Sequence, residues 1–161
     1  MNFTRPFTSI SENDLIKFEN DKSLKLPEEY RKFLLKHNGG YWPEKNSFNF
    51  INRADGSDIQ YFYGVNLPNK EKECYTSLDQ NANSSGEDFP SKYLAIGTDS
   101  GGNQILLNIE NGQVCFCDHE IMFDEDEGED VETFEDNITL ISNSFTDFID
   151  GLYDYILEDE D

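Results

Sequence analysis

Between Asp118 and Asp136, 11 of 19 residues are Asp or Glu, and a chain cannot place such a stretch in its interior. Neighbouring carboxylates repel one another, and burial strips each of its water. The core must therefore come from the rest of the sequence. The supply is adequate: 36% of the 161 residues are hydrophobic and 14% aromatic, with 13 Phe and 8 Tyr. A chain of this length folds as one domain and buries roughly 70% of its extended surface. The mean hydropathy of -0.70 does not indicate disorder, which requires few aromatics as well as high charge. A single domain over 1–161 is expected, with its core at about 11–157 and a solvated acidic loop at 124–136.

The formal net charge is -22, from 12 basic and 34 acidic side chains. It is distributed unevenly. Residues 1–80 hold 11 basic and 12 acidic residues, whereas 81–161 hold 22 acidic residues and a single cation, Lys92. A field of this sign repels nucleic-acid phosphates and anionic membranes, and draws in basic proteins. Direct nucleic-acid binding is therefore not expected.

The N-terminus, Met1-Asn2-Phe3-Thr4-Arg5-Pro6, has neither the basic start nor the apolar run of a secretory leader. No segment approaches the roughly 18 apolar residues of a membrane span. Cys74, Cys115 and Cys117 are odd in number and follow no disulfide framework, which fits reduced thiols in a cytoplasmic chain.

Local patterns give the elements. Ser11 caps a first helix over 11–20, with Glu12 and Asp14 at its positive end and Leu15, Ile16 and Phe18 as its apolar stripe. In the second helix, Pro27 fits the first position, Glu28 and Glu29 follow, and Tyr30, Phe33, Leu34 and His37 recur at helical spacing. Asn38-Gly39-Gly40 supplies left-handed backbone to stop it. Ser47–Ile51 and Ile59–Val65 are expected as strands around a turn at 54–58, with a short helix near Lys72–Asp79 and a loop at 81–86. A β-meander follows: Tyr93–Gly97, Asn103–Ile109 and Gln113–Asp118. Its second connection carries Asn111-Gly112, the dipeptide of type I′ hairpin turns. Ser142 or Ser144 caps a last helix from about Ser144 to Leu157, with Phe145, Phe148, Ile149, Leu152 and Ile156 on one face. The fold class is α+β: a mostly antiparallel sheet with a meander, flanked by N- and C-terminal helices.

Three stretches resemble the SUKH superfamily, which includes fungal cell-wall assembly regulators and many bacterial immunity proteins. They are Leu26-Pro27-Glu28-Glu29-Tyr30 through Phe33-Leu34 to Asn38-Gly39-Gly40; Ile96-Gly97-Thr98-Asp99-Ser100-Gly101-Gly102-Asn103 with the following strand to Cys117-Asp118-His119-Glu120; and Ser144-Phe145-Thr146-Asp147-Phe148. Their order and spacing agree over about 11–157. The chain departs from the family in having Cys117 where Trp often precedes Asp-His-Glu, and in its long acidic loop. The resemblance implies a curved mixed sheet with flanking helices, used for binding proteins. Bacterial members commonly neutralise toxin domains, often nucleases, and the superfamily is not known for catalysis.

The candidate chemistry is sparse. His37 reads as a packed histidine near a helix end. His119 lies between Asp118 and Glu120, but strand alternation sends it to the opposite side. Cys115 and Cys117 share a strand face without the further ligands of a zinc site, and read as packing residues. In the run Asp124-Glu125-Asp126-Glu127-Gly128-Glu129-Asp130, placing Gly128 at the sixth position of a calcium loop puts Phe123 where Asp is required. That leaves at most loose divalent-ion binding. No catalytic residue, metal or cofactor is expected.

A basic toxin domain, of nuclease type, is the expected partner of a monomer or weak dimer. The expected contact residues are Asp118, Glu120, Asp124, Glu125, Asp126, Glu127, Glu129 and Asp130. Tyr41 and Trp42 read equally as an aromatic anchor or as core. The alternative function is a regulatory scaffold module like the fungal branch.

Overall fold

The computed structural model describes residues 1–72, 75–84, 86–120 and 131–155. Its frame is a seven-stranded sheet in the order β1-β2-β5-β6-β7-β8-β9, with every pairing antiparallel. These strands are β1 (Phe3–Pro6), β2 (Gly40–Pro43), β5 (Tyr61–Phe62), β6 (Tyr93–Thr98), β7 (Gln104–Asn108), β8 (Val114–Cys117) and β9 (Thr139–Ser142). A separate hairpin pairs β3 (Ser47–Asn49) with β4 (Gly56–Asp58). The α+β fold and its meander, β6 to β8, are as the sequence indicates.

The helices follow local rules where those are strong. In α1 (Glu12–Lys22), the Ser11 side chain accepts from the Asp14 N–H, and the Asp14 carboxylate accepts from the Ser11 N–H. This capping box contributes about 1 kcal/mol and holds the Asp14 carboxyl below its ordinary pKa. Leu15 and Phe18 are buried, while Ile16 is exposed. In α2 (Glu28–Lys36), Pro27 is the residue before the first turn rather than in it. Gly39 follows the helix at φ 79°, and a Cβ there would meet the Phe62 and Tyr63 carbonyls at 2.6 Å. Asn38 adds what the sequence did not disclose. Its buried side chain donates to the Thr8 and Val65 carbonyls and accepts from the Val65 N–H.

Paired residues share a face of a sheet. Phe62, Gly97, Ile105 and Phe116 line one face in register. Phe33 of α2 meets Phe62 at 5.3 Å between ring centroids. Phe145 and Phe148 belong to α5 (Phe145–Asp150), and Phe148 lies 5.8 Å from Phe48 of the hairpin. Edge-to-face pairs of this kind add about 0.5–1.5 kcal/mol each beyond area burial. The opposite face carries Tyr41, Tyr61, Thr98, Gln104 and Cys117 in register.

Several elements differ from the pattern-based expectation. The last helix ends at Asp150 rather than Leu157. Gly151 caps it, and Tyr153 then exchanges backbone hydrogen bonds with Ser47; Ile156 lies outside the described residues. The last three residues of the expected 54–58 turn form β4, because Gly56, Ser57 and Asp58 pair with β3. The strands shorten to Ser47–Asn49 and Tyr61–Phe62, since Gly64 turns away to bridge Ser77. Residues 72 and 75–77 are not helical; the short helix, α3 (Leu78–Asn81), starts later than expected at the Ser77 side chain and shares only its first two residues with 72–79, and a 3₁₀ turn at Ala82–Ser84 replaces part of the loop. The 111–112 turn is not type I′. Only Gly112 has positive φ, at 80°, and its N–H donates to the Asn108 carbonyl.

The acidic segment is not a loop throughout. Its final part forms α4 (Val131–Asn137), which places Phe134 in the core, 5.7 Å from Tyr93.

Candidate protein-binding surface

Asp118 and Glu120 lie just past the end of β8, and both are exposed. The chain turns here, so the alternation expected for residues 118–120 does not apply. The Glu120 N–H donates to Asp118 Oδ1 at 2.9 Å. His119 turns to Asn103, with Nδ1 2.8 Å from its Oδ1, and the His119 N–H donates to the same oxygen. Asp118 is 3.7 Å from His119 Nδ1. The expected contacts at Asp124, Glu125, Asp126, Glu127, Glu129 and Asp130 lie outside the described residues, as does Cys74.

The two carboxylates open onto a polar cavity of about 510 Å³, lined also by Asp55, Phe116 and Thr139. Its one cation, Arg53, is already committed. The guanidinium donates twice to Asp55, at 2.8 and 2.5 Å, and lies over the Phe50 ring. Asp99, which also lines the cavity, is buried and structural. Its carboxylate accepts from the N–H groups of Gly101 and Asn103, the Ser57 hydroxyl and the Asn103 amide. The Asp-Ser-Gly-Gly turn thus exists to tie β6–β7 to the hairpin.

Tyr41 and Trp42 separate. Tyr41 is buried, under the Arg5 guanidinium at 4.7 Å. Trp42 is 47% exposed and has φ 44°, an uncommon conformation for a bulky residue. Of the pair, only Trp42 presents its ring outward. The sequence missed three further exposed rings among the described residues, Tyr75, Tyr153 and Tyr155, the last two because they were assigned to a helix that ends before them.

The remaining candidates pack. Burial pushes both thiols, Cys115 and Cys117, up to about 11. His37 is half-buried between Phe3 and Phe33, and burial lowers its pKa, aided by the N-terminal ammonium and Lys36. Among the described residues no three His, Cys, Asp or Glu side chains are placed to hold a metal ion. Nor is any described helix long and apolar enough to cross a membrane.

Comparison with known proteins agrees with this architecture. The chain is 28% identical to the SPbeta prophage-derived uncharacterized protein YokK of Bacillus subtilis (strain 168), over 94% of this chain and 80% of that one. Residues 9–151 match the model of the SMI1 / KNR4 family (SUKH-1). That match takes in α1 through α5, together with the Asn38 tether and the Asp99 turn, and the chain belongs to the SMI1/KNR4 (SUKH-1) family.

Proposed function

We propose that the protein is a non-enzymatic immunity protein that binds a cationic toxin domain, of nuclease type, and covers the surface with which that toxin engages its anionic substrate. The observation that carries this reading is the charge of residues 81–161, where 22 carboxylates face one cation. That cation, Lys92, is itself paired with Glu135. A nuclease holds nucleic acid through basic side chains, and a dense anionic surface competes for them without doing chemistry. Membership in the SUKH-1 family supports a protein-binding role. Clustered carboxylates also raise the association rate with a basic partner by about 10–1000-fold at low salt.

Co-expression with the toxin encoded beside it tests the reading. Cells making both should survive and cells making the toxin alone should die. Killing that persists at full levels of this protein would refute it.

A further inference from the structure

β4 is the outer strand of its hairpin, and among the described residues no strand pairs with its far side. The ladder to β3 is closed by Phe50 N–H to the Asp55 carbonyl and Ile59 N–H to the Asn46 carbonyl. In an antiparallel pair the inward-bonded positions alternate. Asp55, Ser57 and Ile59 therefore face β3, and Gly56 and Asp58 turn their backbone groups outward. Gly56 is exposed. An unpaired edge of this kind is a template for an added strand.

The two sides of this edge are concave. On one side lies the cavity of about 510 Å³ with Asp118 and Glu120. On the other lies a cavity of about 540 Å³ lined by Asn46, Ser47, Asp58, Tyr153 and Tyr155. Gly56 and Ser57 border both. Successive side chains of an extended segment point to opposite faces, so a strand laid on β4 sends alternate side chains to the two cavities. The chemistry on both sides suits cations. Tyr155 and Tyr153 are exposed rings beside Asp58, whose carboxylate keeps its charge while Oδ1 accepts from the Ser100 N–H and hydroxyl, and Asp118 and Glu120 offer exposed carboxylates whose neighbouring cation, Arg53, is already paired with Asp55.

We propose that the β4 edge docks an extended segment of a partner protein carrying basic side chains at successive positions, so that each cavity receives at least one. This rests on the reading that the partner is cationic, and adds where it is gripped: the acidic second half steers, and the β4 rim holds.

The test uses the full-length ¹⁵N-labelled protein titrated with the peptide acetyl-Val-Lys-Arg-Lys-Val-amide, whose lysines and arginine point to opposite faces, and separately with spermidine, a cation of equal charge without a strand backbone. The expected result is saturable shifts of the Gly56–Asp58 and Tyr153–Tyr155 amides with the peptide and not with spermidine. Tyr155→Ala, and separately Asp118→Asn with Glu120→Gln, should weaken the peptide at least tenfold. These side chains are exposed, and an unchanged spectrum elsewhere verifies that the variants fold. Shifts absent from Gly56–Asp58, equal shifts with spermidine, or variants that bind as well as the parent would each overturn the proposal. The co-expression assay fails independently: peptide docking without protection from the toxin would sink the immunity reading and leave this site standing.

Discussion

Residues 1–80 and 81–161 are nearly equal in length and use charge in opposite ways. In the first half, 11 cations and 12 carboxylates nearly cancel, and among the described residues three of those cations form ion pairs. Arg31 binds Glu12 and Glu19, bridging α1 to α2, and Glu19 also accepts from the Leu26 N–H. Lys17 pairs with Asp21 and Arg53 with Asp55. In the second half Lys92 reaches Glu135 of α4, and the other carboxylates have no Lys or Arg of their own half to meet. Charge in one half is balanced within that half; in the other, 22 carboxylates stand against one cation.

The sharpest way to break this contrast is at Arg31, whose side chain is 13% exposed, as is that of Glu19. Arg31→Ala should cost about 3 kcal/mol, because it strands a largely buried carboxylate. Urea unfolding at pH 7 checks it, and a loss below about 1 kcal/mol would show that first-half charge is not structural.

Salt acts on the other half. Raising ionic strength from about 0.01 to about 0.2 M shortens screening from roughly 30 Å towards 8 Å. Repulsion among second-half carboxylates should then ease, lifting the melting temperature by about 3 °C. A variant with the 124–130 carboxylates changed to Ser and Asn should show a smaller rise. An unchanged melting temperature in the parent would contradict the repulsion.

Lys92→Met is the next probe. The pair with Glu135 is partly exposed, so its loss should cost only about 0.5–1 kcal/mol. The effect should be read most clearly as faster hydrogen exchange in α4.

The smallest effect is at His37. Burial holds its pKa below 6.5, so the unfolded chain takes up the proton first. The stability this provides is complete above about pH 6.5 and is lost as pH falls through the folded value. His37→Gln should flatten the urea midpoint between pH 7 and the acid limb relative to the parent. An identical pH profile would mean that the site does not discriminate against the proton.

The same contrast explains what was legible in the sequence. α1 and the stop of α2 are written locally, in Ser11 with Asp14 and in Gly39. The meander is legible because β6 and β7 are continuous apolar runs between turn residues. β4 was hidden, since Gly56-Ser57-Asp58 has the composition of a turn and becomes a strand only by pairing with Ser47–Asn49. The end of α5 was hidden for a similar reason: Tyr153 leaves the helix to bond Ser47 across the molecule. Of the candidate surface, charge made Asp118 and Glu120 visible. The burial of Tyr41 and the exposure of Trp42, adjacent in sequence, follow from their alternation in β2 (Gly40–Pro43), a strand the sequence pattern did not disclose.

The most direct test of the electrostatic account is the affinity for the proposed toxin partner after Asp118, Glu120 and the acidic residues of 124–136 are changed to Asn, Gln or Ser. Binding at about 0.15 M salt should weaken by at least 100-fold, mostly through slower association. A variant that holds the toxin as tightly as the parent would contradict it.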